Sequence, residues 1–185
     1  MTGKIDLERS DNGVAVLWID NLNHRNALNN TLIDSLTEHF RALGEDLACR
    51  VVIVRGRGGI YCAGRELRDL RALQDASNDE IVATYEKLKG LNEAVWFCPK
   101  PTIAVVQKYA FGAGATLTSW CDIAIAENDA LFAYPEVHHG FPPSPAMMAL
   151  FLAVGRKKAM ELILTGRRFD AVEADEIGLI TRAVS

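Results

Sequence analysis

The stretch "YAFGAGATLTSW", residues 109–120, follows the apolar run "TIAVV", residues 102–106. The apolar run has the length and β-branched composition of a buried strand, and the longer stretch opens a helix. A glycine-rich turn before a helix N-terminus presents unpaired backbone N–H groups and a partial positive charge. The stretch therefore predicts a strand–turn–helix unit of a parallel sheet, whose turn can stabilise a negatively charged oxygen.

The alternation of strand and helix extends over the rest of the chain. Strands are predicted for "GVAVLWID", "RVVIVRG", "CDIAIAEN" and "LITRAV", and "KIDLERS" forms a hairpin with the first of these. A helix begins at about Thr31 with a cap at Asn29 or Asn30, and a short helix follows "YCAGREL". Further helices are predicted near residues 79–96, 145–153, 156–164 and 171–176. This order predicts an α/β fold with mainly parallel sheets, and we expect one domain over residues 1–185.

The composition is that of an ordinary globular protein. Hydrophobic residues make up 49% of the chain and charged residues 24%, and the formal net charge is -4. No basic excess attracts nucleic acid or an anionic membrane. The opening "MTGKIDLERSDN" is too polar for a signal peptide, and no apolar run is long enough to cross a bilayer. We therefore expect a cytoplasmic protein with no nucleic-acid or membrane partner.

The cysteines and histidines show no metal-binding pattern. No two cysteines form a CxxC pair, and none has a histidine at zinc-ligand spacing. The adjacent His138 and His139 cannot share one face of a helix or strand as paired ligands would. We expect no metal, and reduced thiols of a cytosolic protein at all four cysteines. These are Cys49, Cys62, Cys98 and Cys121.

Two glycine turns carry the functional signal. The run Gly112-Ala113-Gly114 falls short of the dinucleotide-binding GxGxxG motif because its sixth position is Leu117, which disfavours a Rossmann-type dehydrogenase. The stretch "YCAGREL", residues 61–67, has the same form. Two such turns after parallel strands can direct two N–H groups to one point and so form an oxyanion hole. The alternative is that the small residues only allow close packing of helix and sheet.

Several segments resemble the enoyl-CoA hydratase/isomerase family, the crotonase superfamily. They are "NHRNALN", "YCAGREL", "KYAFGAGATL", "CDIAIAENDALFAYPEV" and "ELILTGRRFDAVEADEIGLITRAV", in one order from about residue 13 to the last residue. The resemblance implies the crotonase-like fold, a spiral of βαβ units, and a role in fatty acid metabolism. It implies an acyl-CoA thioester as substrate, coenzyme A only as part of that substrate, and a homotrimer or a dimer of trimers. The family usually continues into a C-terminal helical segment, which we expect to be absent here, in a truncated chain or a short member.

The resemblance also assigns site residues. The backbone N–H groups of Arg65 and Ala113 correspond to the two oxyanion donors of the family. The side chain of Arg65 either serves the ligand or faces solvent. The turn residues around the two donors belong to the substrate-binding set by the same correspondence. They are Ala63, Gly64, Gly112 and Gly114.

Coenzyme A binding is assigned in the same way. Arg25 and Arg68 match positions that contact CoA, and a guanidinium can donate two hydrogen bonds to a phosphate at once. Ala27 and Leu67 match positions that contact the pantetheine and adenine parts. Taken as isolated arginines, Arg25 and Arg68 would be interpreted as surface residues.

Hydratases of the family carry two glutamates, and this chain matches only one of them. Glu136 in "YPEV" corresponds to one acid, and Thr116 stands at the position of the other. A single carboxylate beside the α-carbon of a polarised thioester can remove a proton and return it elsewhere, which is a double-bond isomerisation. Threonine can hydrogen-bond a water but cannot act as a base near neutral pH. We therefore favour an isomerase, and leave open an altered hydratase, a thioester hydrolase and a non-catalytic acyl-CoA-binding subunit.

Overall fold

The chain opens with a β-hairpin that forms one edge of the larger sheet. In this computed structural model, residues 3–142 and 144–185 are described, so Met1, Thr2 and Pro143 of the predicted domain lie outside the described residues. Strand β1 (Lys4–Arg9) pairs antiparallel with β2 (Val14–Asp20), as predicted.

The larger sheet has six strands, and all its pairs except the hairpin are parallel. The four strands after the hairpin are β3 (Val51–Gly56), β4 (Thr102–Val106), β6 (Ile123–Glu127) and β9 (Arg182–Val184). The strand order is β1-β2-β3-β4-β6-β9, so each neighbour after the hairpin is reached by a crossover connection. The predicted α/β fold with a mainly parallel sheet is therefore confirmed.

The helices lie between these strands. Their bounds are α1 (Asn30–Glu45), α2 (Leu67–Ala72), α3 (Asn78–Trp96), α4 (Ala113–Trp120), α5 (Ser144–Thr165) and α6 (Ala171–Glu176). The Asn29 side chain caps α1 by accepting a hydrogen bond from the Leu32 N–H. Gly155, with φ 73° and ψ 162°, interrupts α5 where the sequence predicts two helices. In the described ranges, no helix is long and apolar enough to cross a membrane.

A second, smaller sheet was not predicted. It contains β5 (Tyr109–Phe111), β7 (Leu131–Ala133) and β8 (Phe169–Asp170), with β5 and β7 parallel. Strands of two or three residues show no periodic pattern, so only their pairing defines them. The last strand is also shorter than predicted, because Leu179 and Ile180 lie buried in the turn after α6. The small sheet matters for function because β5 leads directly into the second glycine turn.

Candidate active site

The two glycine turns lie side by side. Cys62, just before the first turn at Gly64, pairs with Ala110 of β5 in an isolated parallel β-bridge. The Cys62 N–H donates to the Tyr109 carbonyl at 3.2 Å, and the Phe111 N–H donates to the Cys62 carbonyl at 3.1 Å. Parallel segments leave a sheet at the same edge, so both turns begin at one place.

Backbone geometry requires glycine at the centre of both turns. Gly64 has φ 99° and Gly112 has φ 49°, a region that side chains disfavour. A Cβ atom on Gly64 would lie 2.8 Å from the Phe111 carbonyl oxygen and 3.7 Å from the Ala113 nitrogen. A Cβ atom on Gly112 would lie 3.0 Å from the Glu136 Oε1. The glycines therefore allow the two turns and the carboxylate to approach one another.

Two backbone N–H groups at this junction have no acceptor among the described residues. Ala113 is the first residue of α4, so its N–H has no partner within the helix. The residues before and after Arg65 both bond to Leu28. The Leu28 N–H donates to the Gly64 carbonyl, and the Glu66 N–H donates to the Leu28 carbonyl, so the Arg65 N–H takes no part in this pairing. In the described part of the chain, neither the Arg65 N–H nor the Ala113 N–H has an acceptor.

A cavity of about 90 Å³ connects these groups with a carboxylate. Its lining includes Gly64, Arg65, Gly112, Ala113 and Glu136, and we call it the junction cavity. It shares lining residues with two further spaces, a wide cleft and a small pocket. The three spaces are therefore neighbours with common walls.

The carboxyl of Glu136 lies at the junction, and no described residue forms an ion pair with it. Glu136 belongs to a 3-10 turn, Pro135–His139, that follows β7. Among the described residues its Oε2 atom is buried and has no hydrogen-bond partner. Burial raises the pKa of this carboxyl. A carboxylate with a raised pKa is a stronger base than an exposed one, which suits proton abstraction.

Thr116 faces the same space but uses its hydroxyl hydrogen within its own helix. The hydroxyl donates to the Gly112 carbonyl at 3.0 Å, and the residue is 4% exposed. Thr116 lines the small pocket next to the junction cavity, together with Glu136 and Ala113. It can therefore accept a hydrogen bond from a water in that pocket but is not free to donate one.

The wide cleft, which we call the outer cleft, has a volume of about 1090 Å³. The structure brings five residues of the predicted substrate-binding set together there, the four assigned to CoA and Ala63 of the first turn. Arg68 is strongly exposed, with 86% of its side-chain area open to solvent, and Leu67 is 56% exposed. The residues of this set that line the outer cleft are Arg25, Ala27, Ala63, Leu67 and Arg68.

Gly114 has a different place from the one assigned to it. It is buried and lines none of the three spaces formed by the described residues. A Cβ atom on Gly114 would lie 2.7 Å from the Cys62 carbonyl oxygen. The absence of a side chain at Gly114 therefore allows α4 to pack closely against Cys62. This is the packing role that the sequence offers as the alternative for the small residues of the turns.

The small pocket, which we call the inner pocket, has a volume of about 60 Å³ and mostly apolar walls. From the sequence, Phe141 and Pro142 are candidates for shaping the acyl site, and both line this pocket. The pocket as a whole is not predicted, because its other residues come mainly from α2, α3 and α4. A further signal is the amphipathic pattern of α3, whose Tyr85 and Leu88 are half-buried rather than fully buried. Burial and the nearby charge of Glu136 raise the pKa of Tyr85. The apolar and aromatic walls are Leu70, Leu73, Tyr85, Leu88, Leu91, Phe141, Pro142 and Pro145.

The side chain of Arg65 does not face solvent, so that alternative is wrong. Only 6% of its side-chain area is exposed. Its Nη2 atom donates to the Asn30 Oδ1 at 2.9 Å and lies 3.6 Å from the Asp69 Oδ2. Arg65 lines the outer cleft, the junction cavity and the inner pocket.

Further basic side chains lie at the outer cleft. Arg167, Arg168, His138 and His139 line it, and sequence analysis had assigned no role to the two arginines. Arg167 is already paired with Glu161 and Glu173, whereas the Arg168 guanidinium lies 5.4 Å from the Phe111 ring centroid. Within residues 3–142 and 144–185, no group of three or more potential metal ligands is assembled.

Comparison with known proteins identifies the family. The sequence model of the enoyl-CoA hydratase/isomerase family matches residues 9–185. The chain is 34% identical over 187 residues to "Probable enoyl-CoA hydratase echA8" of Mycobacterium bovis, covering 100% of this chain and 70% of that protein. It is 33% identical over 177 residues to the human "Enoyl-CoA hydratase domain-containing protein 2, mitochondrial", covering 95% of this chain and 60% of that protein.

Solved structures show the same fold. The crystal structure of an enoyl-CoA hydratase from Mycobacterium smegmatis matches with a TM-score of 0.93 and 32% identity, over 98% of this chain and 70% of that chain. That of a Shewanella pealeana enoyl-CoA hydratase matches with a TM-score of 0.94 and 28% identity, over 98% and 68%. The chain therefore belongs to the enoyl-CoA hydratase/isomerase family and has the crotonase fold.

Proposed function

We propose that this protein is an acyl-CoA enzyme that moves the double bond of an enoyl-CoA, with Glu136 as its only base. One observation carries the proposal. Among the described residues, the unpartnered N–H groups of Arg65 and Ala113 and the Glu136 carboxyl, whose buried Oε2 atom has no partner, line one cavity that shares walls with a wide cleft and an apolar pocket. A thioester that extends through this cavity would have its carbonyl beside the N–H groups and its α-carbon beside Glu136.

The reaction follows from these positions. The Arg65 and Ala113 N–H groups donate to the thioester oxygen and stabilise the negative charge that develops there. Glu136 removes a proton from C2 of a 3-enoyl-CoA, and the electrons of that C–H bond form a dienolate. The same carboxyl then returns a proton to C4, so the double bond moves to C2–C3 and Glu136 is a carboxylate again. No water is consumed.

Substrate binding is divided between the two spaces on either side of the junction. The exposed arginines of the outer cleft, Arg25 and Arg68, bind CoA phosphates, and Ala27 and Leu67 contact its less polar parts. The inner pocket takes the acyl chain, because its walls are mostly apolar.

A hydratase is the second candidate, and the names of the relatives favour it. Hydration needs a water activated at the β-carbon, usually by two acids, and Thr116 replaces one of them here. A thioester hydrolase and a non-catalytic acyl-CoA-binding subunit are the further alternatives. Separate incubations with a 3-enoyl-CoA and a 2-enoyl-CoA, followed by mass analysis and NMR of the acyl chain, test all four. Isomerisation moves the double bond of the 3-enoyl-CoA at unchanged mass, which NMR detects. Hydration adds one water to the 2-enoyl-CoA, hydrolysis releases free CoA, and a binding subunit leaves both esters unchanged.

Thr116→Val is expected to change kcat by less than about threefold. Valine has nearly the shape of threonine, and the hydroxyl hydrogen that it removes is bonded within α4 rather than to the substrate. An isomerase with Glu136 as its base does not need that hydroxyl. Steady-state rates with a 3-enoyl-CoA measure the effect. A loss of 100-fold or more would indicate instead that Thr116 positions a water, as a hydratase requires.

Arg68→Ala is expected to raise KM for acyl-CoA esters by roughly threefold to tenfold and to leave kcat nearly unchanged. The guanidinium is largely exposed, so its contact with a CoA phosphate is partly screened by water and salt. Increasing ionic strength should therefore reduce the difference from the wild type. Arg182→Ala is the matched control, because Arg182 is an exposed arginine of β9 outside the outer cleft. Equal KM values for the two variants would contradict the assignment of Arg68.

The pH dependence of kcat/KM is expected to show an acid limb above the ordinary pKa of a glutamate. Burial raises the pKa of Glu136, and only its ionised form can accept the proton. The rate should therefore fall as the pH is lowered through this raised pKa. A pH–rate profile for a 3-enoyl-CoA measures it. An acid limb at or below about pH 4.3, the pKa of an exposed glutamate, would show that Glu136 is not the base.

A further inference from the structure

The guanidinium of Arg65 has no part in the proposed reaction, which uses only the backbone N–H of this residue. Its side chain is 6% exposed. Two of its three nitrogens, Nε and Nη1, are buried and have no hydrogen-bond partner in the described part of the chain. The contacts with Asn30 and Asp69 both use the third nitrogen, Nη2.

Such an arrangement is costly for a folded protein. Buried N–H groups are almost always paired, and leaving one unpaired costs free energy that folding has to offset. Burial lowers the pKa of Arg65, but an arginine side chain stays protonated in proteins, so its donors are permanent. The single-atom contact at Nη2 is enough to attach the side chain to α1 and α2. It does not account for the two free donors.

The position of Arg65 indicates what the free donors can contact. Arg65 lines both the junction cavity and the inner pocket, beside Leu70, Ala113, Glu136 and Phe141. An acyl chain whose thioester lies in the junction cavity would enter the space that Arg65 lines. A purely alkyl chain would offer Nε and Nη1 no acceptor.

Resting on the proposed acyl-CoA function, we propose that the inner pocket selects acyl chains that carry a second oxygen acceptor, a carboxylate or a ketone, bound by Arg65. The oxygen would accept hydrogen bonds from Nε and Nη1, which then have the partners that the protein itself does not supply. Sites that hydrogen-bond a substrate group discriminate strongly against analogues lacking it, because the site's buried donors stay unpaired. Arg65 is thus a specificity-determining residue as well as the source of one oxyanion donor.

The two kinds of oxygen differ in charge. A carboxylate forms charge-assisted hydrogen bonds with the guanidinium, whereas a ketone avoids repulsion by the unpaired Glu136 carboxylate in the same pocket. The test therefore compares matched esters of both kinds with an alkyl ester. Pentanoyl-CoA, 4-oxopentanoyl-CoA and glutaryl-CoA have the same chain length, and analogous sets with four to eight carbons cover the unknown length of the pocket.

The experiment measures dissociation constants of these saturated esters, which cannot isomerise, by calorimetry. The wild type is expected to bind at least one oxygenated ester about tenfold or more tightly than its alkyl counterpart, since hydrogen bonds to a charged group are strong. Whichever oxygenated ester binds more tightly identifies the carboxylate or the ketone. Equal affinities throughout the sets would overturn the inference while acyl-CoA binding stands. If no ester binds better than free CoA, the proposed function fails and the inference fails with it.

Two variants connect the preference to the side chain. Arg65→Met keeps the backbone N–H and the apolar stem, and should bring the ratio of oxygenated to alkyl affinity to about one. Arg65→Lys should keep part of the preference for a carboxylate. Arg68→Met is the control, because an arginine of the outer cleft should weaken all esters equally. An unchanged ratio in Arg65→Met overturns the assignment, and the wild-type comparison decides the question if this variant does not fold.

Discussion

Glu136→Gln should lower kcat for a 3-enoyl-CoA by about 10²- to 10⁴-fold, the usual contribution of a positioned general base. Glutamine has nearly the same size and shape but cannot accept the α-proton. The affinity for acyl-CoA should stay within about threefold, because the CoA contacts lie in the outer cleft and the oxyanion donors are backbone groups. Single-turnover kinetics and calorimetric binding measure the two effects separately.

The stability of the variant supplies the control. Among the described residues, the wild-type Glu136 Oε2 atom is buried without a partner, and the pKa of the carboxyl is raised, so its ionised form disfavours the folded state. That cost develops as the pH rises from the ordinary pKa of a glutamate to the raised pKa, and it is constant above the raised pKa. Glu136→Gln should therefore have a melting temperature at neutral pH equal to or above that of the wild type. A parallel loss of stability, binding and turnover would mean that Glu136 stabilises the folded structure and is not the catalytic base.

Ala113→Pro should lower kcat/KM by about 10²- to 10³-fold, the effect of removing one oxyanion donor. Proline has no N–H, so this change removes the donor at position 113. Ala113 is the first residue of α4, where proline is well tolerated in a helix. The change therefore removes the donor with little effect on the helix, and steady-state kinetics measure it.

Ala113→Gly is the matched variant, because it keeps the N–H group and removes only the methyl group. Its kcat/KM should stay within about tenfold of the wild type, and the melting temperatures of both variants should differ little. If the proline variant keeps more than a tenth of the wild-type activity, the Ala113 N–H does not stabilise the developing oxyanion.

The larger sheet could be predicted because its signals are local. The strands from "GVAVLWID" to "CDIAIAEN" are short β-branched runs, and Asn29 caps the first helix by bonding to a backbone N–H three residues on. Even the interruption of α5 at Gly155 follows from a glycine between two helical patterns. These signals need no information from distant parts of the chain.

The smaller sheet and the inner pocket could not be predicted, since distant residues define them. Strand β5 has three residues, and it is a strand only because it pairs with β7 some 20 positions later. The burial of Arg65 likewise depends on Asn30 in α1 and Asp69 in α2. From the sequence, an arginine after a glycine turn is equally consistent with a solvent-facing residue. Its contacts with Asn30 and Asp69, and the cavities that it lines, remove that alternative.

The groups at the junction differ in whether local sequence, the family resemblance or only the structure reveals them. The two glycine turns indicate free N–H groups from local sequence, and Glu136 was assigned through its "YPEV" context in the family. Only the structure shows that a Cβ atom on Gly112 would lie 3.0 Å from the Glu136 Oε1, so that the carboxylate reaches the turn itself. This proximity makes a single-base reaction chemically reasonable.

The most direct test of the central claim, that Glu136 moves a proton on an enolate held by the two turns, is isotope exchange. The purified protein and Glu136→Gln are each incubated with a 3-enoyl-CoA in deuterated water, and the acyl chain is followed by NMR. The account predicts that the wild type forms the 2-enoyl-CoA and incorporates deuterium at C2 and C4 as repeated cycles exchange the Glu136 proton with solvent. Both changes should be lost in the glutamine variant. Deuterium incorporation that persists in Glu136→Gln, or a hydroxyacyl product from the wild type, would contradict it.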